Sequence, residues 1–486
     1  MFDWSKIGKL FLHQQEQPLL FHQGFFLLLF ALFLVVYALF FQKEKLRHLL
    51  LILFSCYFYY KASGIFIILL GLTISADYLF SFLIEKSTKK VGKWILTIGI
   101  LFSISFLMYF KYRNFFLENT FALFGKEGFT PSTLILPIGI SFYTFQSISY
   151  MVDIYQGKIQ RPSFLKYLMY MLFFPHLVAG PIVRAKDFIP QLKSSLTITK
   201  EHINEGLFLI CKGLVKKAII ADYVAQYSDI VFSAPDGFSG VEQLVATLCY
   251  TLQIFCDFSG YTDMAIGIAL LLGYRLCLNF DSPYKSFNIT TFWRKWHISL
   301  SSWLRDYIYI PLGGNRRGFY LQLLFLLVTM LIGGFWHGAD WKFVFWGASH
   351  GLLLVFHKLF VKWSKNKFDF KGVNVISWLL TFCCAALLWV PFRANSMSDT
   401  LIVYKGIFTS LNWAILPELI KTNPYLILAL IVGYTLTLLP SSIKLKGLNL
   451  FLKMNFGFKV AVLIVVIQMI IQSQSATVQP FIYFQF

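Results

Sequence analysis

In this chain of 486 residues, 57% are hydrophobic, 19% aromatic and only 14% charged. Soluble domains carry about 25% charged residues, so most of this chain has no aqueous surface to cover. A formal net charge of +20 would raise nucleic acid as a partner in a soluble protein. Here the basic residues fall in short clusters between apolar runs, where they orient a membrane chain and meet anionic lipid headgroups, and nucleic acid is excluded.

Apolar runs recur from residue 20 onward with no long polar stretch between them, so we expect one polytopic membrane domain, 1–486, all α-helical. The first run, 25–41, starts late, lacks a basic flank before it and a small-residue cleavage site after it, and is expected to be retained as a helix. Further runs lie near 48–60, 64–84, 94–110, 134–155, 165–182, 205–222, 241–256, 262–274, 319–335, 341–360, 374–392, 403–415, 424–440 and 457–473. A span needs roughly 20 mostly apolar residues, and several runs are short or interrupted, so we expect about 11 spans plus re-entrant and interfacial helices.

Lys43, Lys45 and Arg47 follow the first run, and Lys86, Lys89, Lys90 and Lys93 follow the third. Both clusters are cytoplasmic if the N-terminus is extracytoplasmic, and Lys158 and Arg161 then are too. Residues 1–130 read as N-terminal scaffold spans, 131–360 as the core and 361–486 as C-terminal spans. The seven cysteines, Cys56, Cys211, Cys249, Cys256, Cys277, Cys383 and Cys384, form no metal-type pair and read as small buried apolar residues. A sequon at Asn288 is too short a match to carry weight.

The stretch 253–318 differs, placing Asp257, Asp263, Arg275, Asp281, Arg294, Lys295, His297, Arg305 and Asp306 among aromatic residues. A charge at mid-bilayer costs at least about 2.5–3.5 kcal/mol, so such groups face a cavity or an interior partner. Asp257 and Asp263 flank Gly260, which would break a helix or pack it closely. We read the two carboxylates as structural, capping helix ends or pairing with Arg275, with direct chemistry as the alternative.

Residues 292–310, FWRKWHISLSSWLRDYIYI, predict one amphipathic helix lying in the membrane interface. On it, His297 shares a side with Arg294 and Ser301. His337 follows in an apolar run amid Gly333, Gly334 and Gly338, and His350 lies in WGASHG. A buried imidazole is more often a hydrogen-bonded interior residue than a catalyst, but one between glycines is also poised for proton transfer. GASHG fits the hydrolase nucleophile elbow only nominally, because that motif needs a strand–turn–helix. No HExxH, phosphate loop or Cys/His cluster is present in the sequence, so no metal is expected.

FFPHLVAGPIVR (173–184), FCDFSGYTDMAIG (255–267), FWRKWHISLSSWLRDYIYIPLGGNRRG (292–318) and GGFWHGADWKFVFWGASHG (333–351) resemble, in order and spacing, the bacterial membrane-bound O-acyltransferases. The alginate O-acetylating branch is the nearer. The resemblance implies tilted helices around a central tunnel, with the family's essential histidine falling on His337 and its second on His297. It implies acetyl transfer from acetyl-CoA, with no bound cofactor, to an extracytoplasmic polysaccharide through a periplasmic SGNH-hydrolase-like partner, in a bacterial inner membrane.

Acyl transfer needs a base for the acceptor hydroxyl, expected at His337, and an orienting or donor group, expected at His297. Arg294, Arg305, Arg316 and Arg317 are candidates for the donor's phosphates, with lipid anchoring the alternative. Trp296, Trp336, Ser301 and Asp257 are candidates to line the substrate path. D-alanyl or other acyl transfer is the rival within enzymes. A transporter or flippase is the rival outside them, although such proteins commonly show paired halves and this chain shows no repeat.

Overall fold

The computed structural model describes residues 8, 10–15, 18–126, 129–178, 180–193, 195–364, 373–473 and 481–482. Ala179, inside the first of the quoted motifs, lies outside them. Among the described residues the secondary structure is helical throughout, with no strand. Backbone polar groups have no water to pair with in hydrocarbon, and a helix satisfies them internally.

Among the described residues, six helices are long and apolar enough to cross a membrane, or up to eight if each of two sharply bent pairs is one span. The expected count of about 11 is therefore not reached on length and composition. Runs at 48–60 and 64–84 fuse into one apolar rod, Glu44–Lys86, through a 3₁₀ turn at Gly64–Phe66. Runs at 241–256 and 262–274 fuse into Gly240–Leu271, and the run at 165–182 yields only Phe164–Leu172 and Phe174–Leu177. Gly260 does not break its helix. A Cβ there would lie 2.8 Å from the carbonyl oxygen of Gly213, so the glycine permits close packing.

The chain divides into two compact units, one of Met1–Leu207 with Met264–Cys277, the other of Phe208–Asp263 with Leu278–Phe486. In the first, Asp77 is fully buried and accepts hydrogen bonds from Ser103, Ser147 and Tyr167. That carboxylate ties together Ile67–Lys86, Lys89–Leu107, Ile140–Tyr155 and Phe164–Leu172. Arg47, expected as a loop charge, is instead buried, and it donates to the carbonyls of Phe41 (3.0 Å) and Lys193 (2.7 Å).

In the second unit, Phe319–His337 and Trp341–Ser364 lie against each other at glycines. A Cβ on Gly334 would come 2.4 Å from the carbonyl oxygen of Phe343 and 2.8 Å from Cα of Gly347. Only residues without a Cβ allow that approach, which is the small-residue packing membrane helices use in place of a hydrophobic drive. GASHG runs through the middle of Trp341–Ser364, a continuous helix, so the elbow geometry is absent.

The cysteines divide. Cys211, Cys249 and Cys256 are buried as expected, but Cys277 and Cys383 are exposed and Cys56 and Cys384 partly so. Cys383 lies on an apolar helix whose outer face is built to meet lipid, which explains an exposed thiol among hydrophobic neighbours.

Candidate active site

The predicted amphipathic helix over 292–310 is broken where the candidate chemistry lies. Ile289–Lys295 ends at Trp296, His297 takes a left-handed backbone (φ +41°), and Ile298–Leu304 restarts the helix. The stretch then passes through a π turn, Arg305–Tyr309. Trp293, Trp296, Leu300 and Leu304 are buried, so the apolar stripe faces protein and not the membrane interface. The shared side of Arg294, His297 and Ser301 is lost, because helical spacing does not carry through a left-handed residue. A non-glycine residue held there costs on the order of 1–3 kcal/mol and persists where surroundings fix it.

Asn279 does that fixing. Its Oδ1 accepts from the Ser299 backbone N–H (3.2 Å) and the Ser299 hydroxyl (2.8 Å), and lies 3.0 Å from His297 Nδ1. A backbone N–H can only donate, so the amide oxygen faces this cluster. His297 Nδ1 must then carry its proton, which leaves the lone pair of a neutral ring on Nε2. Phe258 packs edge-on against the same ring at 4.7 Å. His297 is thus set to accept a hydrogen bond at Nε2. The donor role expected of it would require a second proton.

His337 closes Phe319–His337 and is 4% exposed. Its ring meets Trp346 (5.0 Å) and Phe392 (5.1 Å), while Trp336 contacts both histidines, 6.2 Å from His297 and 4.9 Å from His337. A Cβ on Gly338 would strike the Phe343 ring, so glycine there is what lets this wall close behind the histidine. Trp296 and Trp389 continue the wall at 4.8 Å from each other. Two imidazoles held in apolar aromatic surroundings are shielded from water, where hydrogen bonds and charges act most strongly.

The remaining sequence candidates separate. Ser301 donates its hydroxyl to the Trp296 carbonyl (3.1 Å), a local backbone role. Arg294, Arg305, Arg316 and Arg317 are all exposed, and Arg305 pairs with its chain neighbour Asp306. Asp257 pairs with Lys217, which also holds Asp222, and accepts from the Ile482 backbone N–H (2.9 Å). Asp263 pairs with Lys212 and Lys216, while Arg275 stands by Glu205. Both carboxylates have internal partners, and these are lysines and not Arg275.

His350 accepts from the Trp293 indole N–H at Nδ1 (3.3 Å) and packs against Trp346 at 4.7 Å, so it props the aromatic wall. Asp340 receives the Lys342 N–H (2.9 Å) at the start of Trp341–Ser364, a helix-capping role. Asn288 of the discounted sequon likewise caps Ile289–Lys295 through the Thr291 N–H (2.8 Å).

Asn279, Phe258, Trp389 and Phe392 were not singled out from sequence. Asn279 lies in an irregular segment where no periodicity marks it, and Trp389 and Phe392 lie beyond residue 360 on a helix that reads as a plain span.

Comparison with known proteins follows the same residues. The sequence model of the membrane-bound O-acyltransferase family matches residues 91–390. A probable alginate O-acetylase AlgI of Azotobacter vinelandii is 38% identical over 414 residues, covering 82% of this chain and 79% of that protein. A peptidoglycan O-acetyltransferase of Helicobacter pylori is 39% identical over 385 residues, covering 73% and 72%. A teichoic acid D-alanyltransferase of Bacillus subtilis is 30% identical over 247 residues, covering 49% and 62%.

Proposed function

The chain belongs to the membrane-bound O-acyltransferase family, a multi-pass membrane enzyme, and from that premise we propose that it moves an acetyl group from cytosolic acetyl-CoA for O-acetylation of an extracytoplasmic polysaccharide. A periplasmic SGNH-hydrolase-like partner would complete the transfer. The setting is a bacterial inner membrane, with the N-terminus outside and the basic segments 43–47 and 86–93 in the cytoplasm. The lower coverage of the D-alanyl-transferring relative supports acetyl over D-alanyl as the group moved.

The observation that carries this reading is the pair His297 and His337, both packed against Trp336, the first with its tautomer fixed by Asn279. In the mechanism we propose, His337 removes the acceptor hydroxyl's proton as the oxygen attacks the thioester carbonyl. His297 Nε2 accepts a hydrogen bond from a second O–H or N–H of the bound substrates and so holds the attacking oxygen in line. The C–O bond forms, the C–S bond breaks, and the proton returns from His337 to the departing thiolate. Precise placement and general base catalysis are each able to supply large rate factors, the latter typically 10²–10⁴-fold.

The test is transfer of radiolabelled acetyl from acetyl-CoA in proteoliposomes supplied with extracytoplasmic partner proteins and glycan. His337→Ala should abolish transfer at matched, folded expression, and His297→Ala should reduce it by about 10²-fold or more. Wild-type rates in both variants would sink the mechanism and favour a transporter or a scaffold.

A further inference from the structure

The arginines expected near donor phosphates lie at exposed positions, but a different set of cations converges inside the second unit. Lys200–Leu214 continues into a π turn, Val215–Ala221, and this wider winding presents Lys216. π turns recur at functional sites because they re-aim side chains that an α-helix would space evenly. Lys216 Nζ meets Asp263 (2.8 Å) and the Ser259 hydroxyl (3.0 Å), and Lys212 meets the other oxygen of Asp263 (3.0 Å). Both lysines remain partly accessible, at 39% for Lys212 and 21% for Lys216.

Two further ammoniums join them. Lys444 donates to the Ser282 hydroxyl (3.2 Å) and the Thr437 carbonyl (3.0 Å), and Lys285 donates to the Leu439 carbonyl (2.9 Å). Lys285 and Lys444 both reach the segment 437–439, and Tyr284, the chain neighbour of Lys285, packs at 5.4 Å against the Phe255 ring that Lys216 overlies. Against these ammoniums stand Asp263, shared by two of them, and Asp281, which is exposed. Like charges gathered this closely repel, and an anion bearing more than one charge relieves that repulsion while giving each ammonium a charge-assisted hydrogen bond.

The cluster also adjoins the histidine site. Ser282, which holds Lys444, is three residues from Asn279, which holds His297, so at most about 10 Å of chain separates them. Ser282 itself has a left-handed backbone (φ +48°), and with His297 it is one of two non-glycine residues so held among the described residues. Lys216 lies over the Phe255 ring at 5.3 Å, and Phe255 packs against Trp296, the neighbour of His297, at 6.3 Å.

We propose that Lys212, Lys216, Lys285 and Lys444 form a binding site for an organic phosphate, supplied either by the thioester donor or by an anionic phospholipid headgroup. The donor source deepens the acyl-transfer reading and rests on it. A phosphate anchored here leaves the donor's flexible arm to reach past Phe255 and Trp296 toward His297. The lipid source rests on a separate feature, an open apolar groove of ≈ 570 Å³ lined by Leu248, Tyr434, Leu438, Leu439 and Pro440, with Lys285 donating to the carbonyl of Leu439 in its lining. An acyl chain would lie in the groove with its headgroup phosphate at the lysines.

The experiment uses the full chain in nanodiscs, comparing wild type, the double variant Lys285→Gln/Lys444→Gln, its Lys→Arg counterpart, and Arg316→Gln/Arg317→Gln. In discs of phosphatidylcholine alone, acetyl-CoA binding is measured by calorimetry. In parallel, phosphatidylglycerol retained from mixed discs is quantified by mass spectrometry. The donor source predicts that acetyl-CoA affinity falls about tenfold or more in the Lys→Gln variant, is kept by Lys→Arg, and is unchanged by the arginine variant. The lipid source predicts the same pattern in retained phosphatidylglycerol, with acetyl-CoA binding absent or unaffected.

Matching unfolding midpoints separate a lost contact from a lost fold, and the Lys→Arg variant covers the case where Lys→Gln does not fold. Wild-type affinity for both ligands in the Lys→Gln variant, or no binding of either by wild type, overturns the proposal. Lysine-dependent acetyl-CoA binding without acetyl transfer would overturn the acyl-transfer reading and leave the site standing.

Discussion

His297 is defined less by its own side chain than by what Asn279 does to it. One amide oxygen receives the Ser299 N–H, the Ser299 hydroxyl and the imidazole Nδ1, and so sets which ring nitrogen is basic. Asn279→Ala would leave the ring free to change tautomer and orientation. Transfer should drop by roughly 10–100-fold, the range seen when the partner orienting a metal-bound histidine is removed. The drop should fall on kcat with little change in KM, measured as acetyl transfer against donor concentration. An unchanged kcat would mean that another group fixes the ring. From sequence, both histidines could be marked by their motifs, but Asn279 could not. Its role depends on a turn that returns the chain from Asn279 to His297, and no local pattern announces such a turn.

Glycine contacts and buried ion pairs are two of the devices that hold helices together in this protein. Gly334→Val would drive a side chain into Phe343 and Gly347, and overpacking of that kind costs about 1–3 kcal/mol. The unfolding midpoint in detergent should fall, while Gly71→Ala, with open space around its Cβ, should leave it unmoved. Equal midpoints for the two variants would show that Phe319–His337 and Trp341–Ser364 do not rely on that contact.

Lys217 serves Asp257 and Asp222 together, and it is 1% exposed. Removing one member of a buried pair strands the other, at about 3–5 kcal/mol. Lys217→Met should therefore destabilise more than Lys212→Met, whose lysine is accessible and whose carboxylate keeps Lys216. Thermal unfolding of the two variants side by side decides it. At this scale the sequence pointed to internal partners for Asp257 and Asp263, since charges among apolar residues require them. It misassigned those partners, because Lys212, Lys216 and Lys217 lie some forty residues away along the chain, the last two of them in a π turn.

For the whole molecule, orientation is the property that basic loops ought to decide. Thr88 is exposed in the short turn between Ile67–Lys86 and Lys89–Leu107, with lysines on both sides. In a cysteine-free background, Thr88→Cys should react with a membrane-impermeant maleimide only when the cytoplasmic face is opened. Reaction in intact cells with a sealed outer face would reverse the proposed topology. The same labelling applied to other helix junctions would count the spans directly. Hydropathy runs outnumber the long apolar helices among the described residues because Glu44–Lys86 and Gly240–Leu271 each join two runs across small or polar residues.

Composition alone determined that this chain is a helical membrane protein. A low charge content and repeated apolar runs leave the backbone no other way to satisfy its hydrogen bonds in lipid. Motif order alone determined the family, because chemistry-bearing residues such as His297 and His337 sit in short, specific strings. The tertiary structure decided the rest. It broke the 292–310 helix at His297, set that ring's tautomer through Asn279, packed Phe392 against His337 and Trp389 against Trp296, and gathered lysines from separate segments into one cluster. Each of these depends on contacts between residues far apart in the chain, and local periodicity carries no record of which distant side chain will meet which.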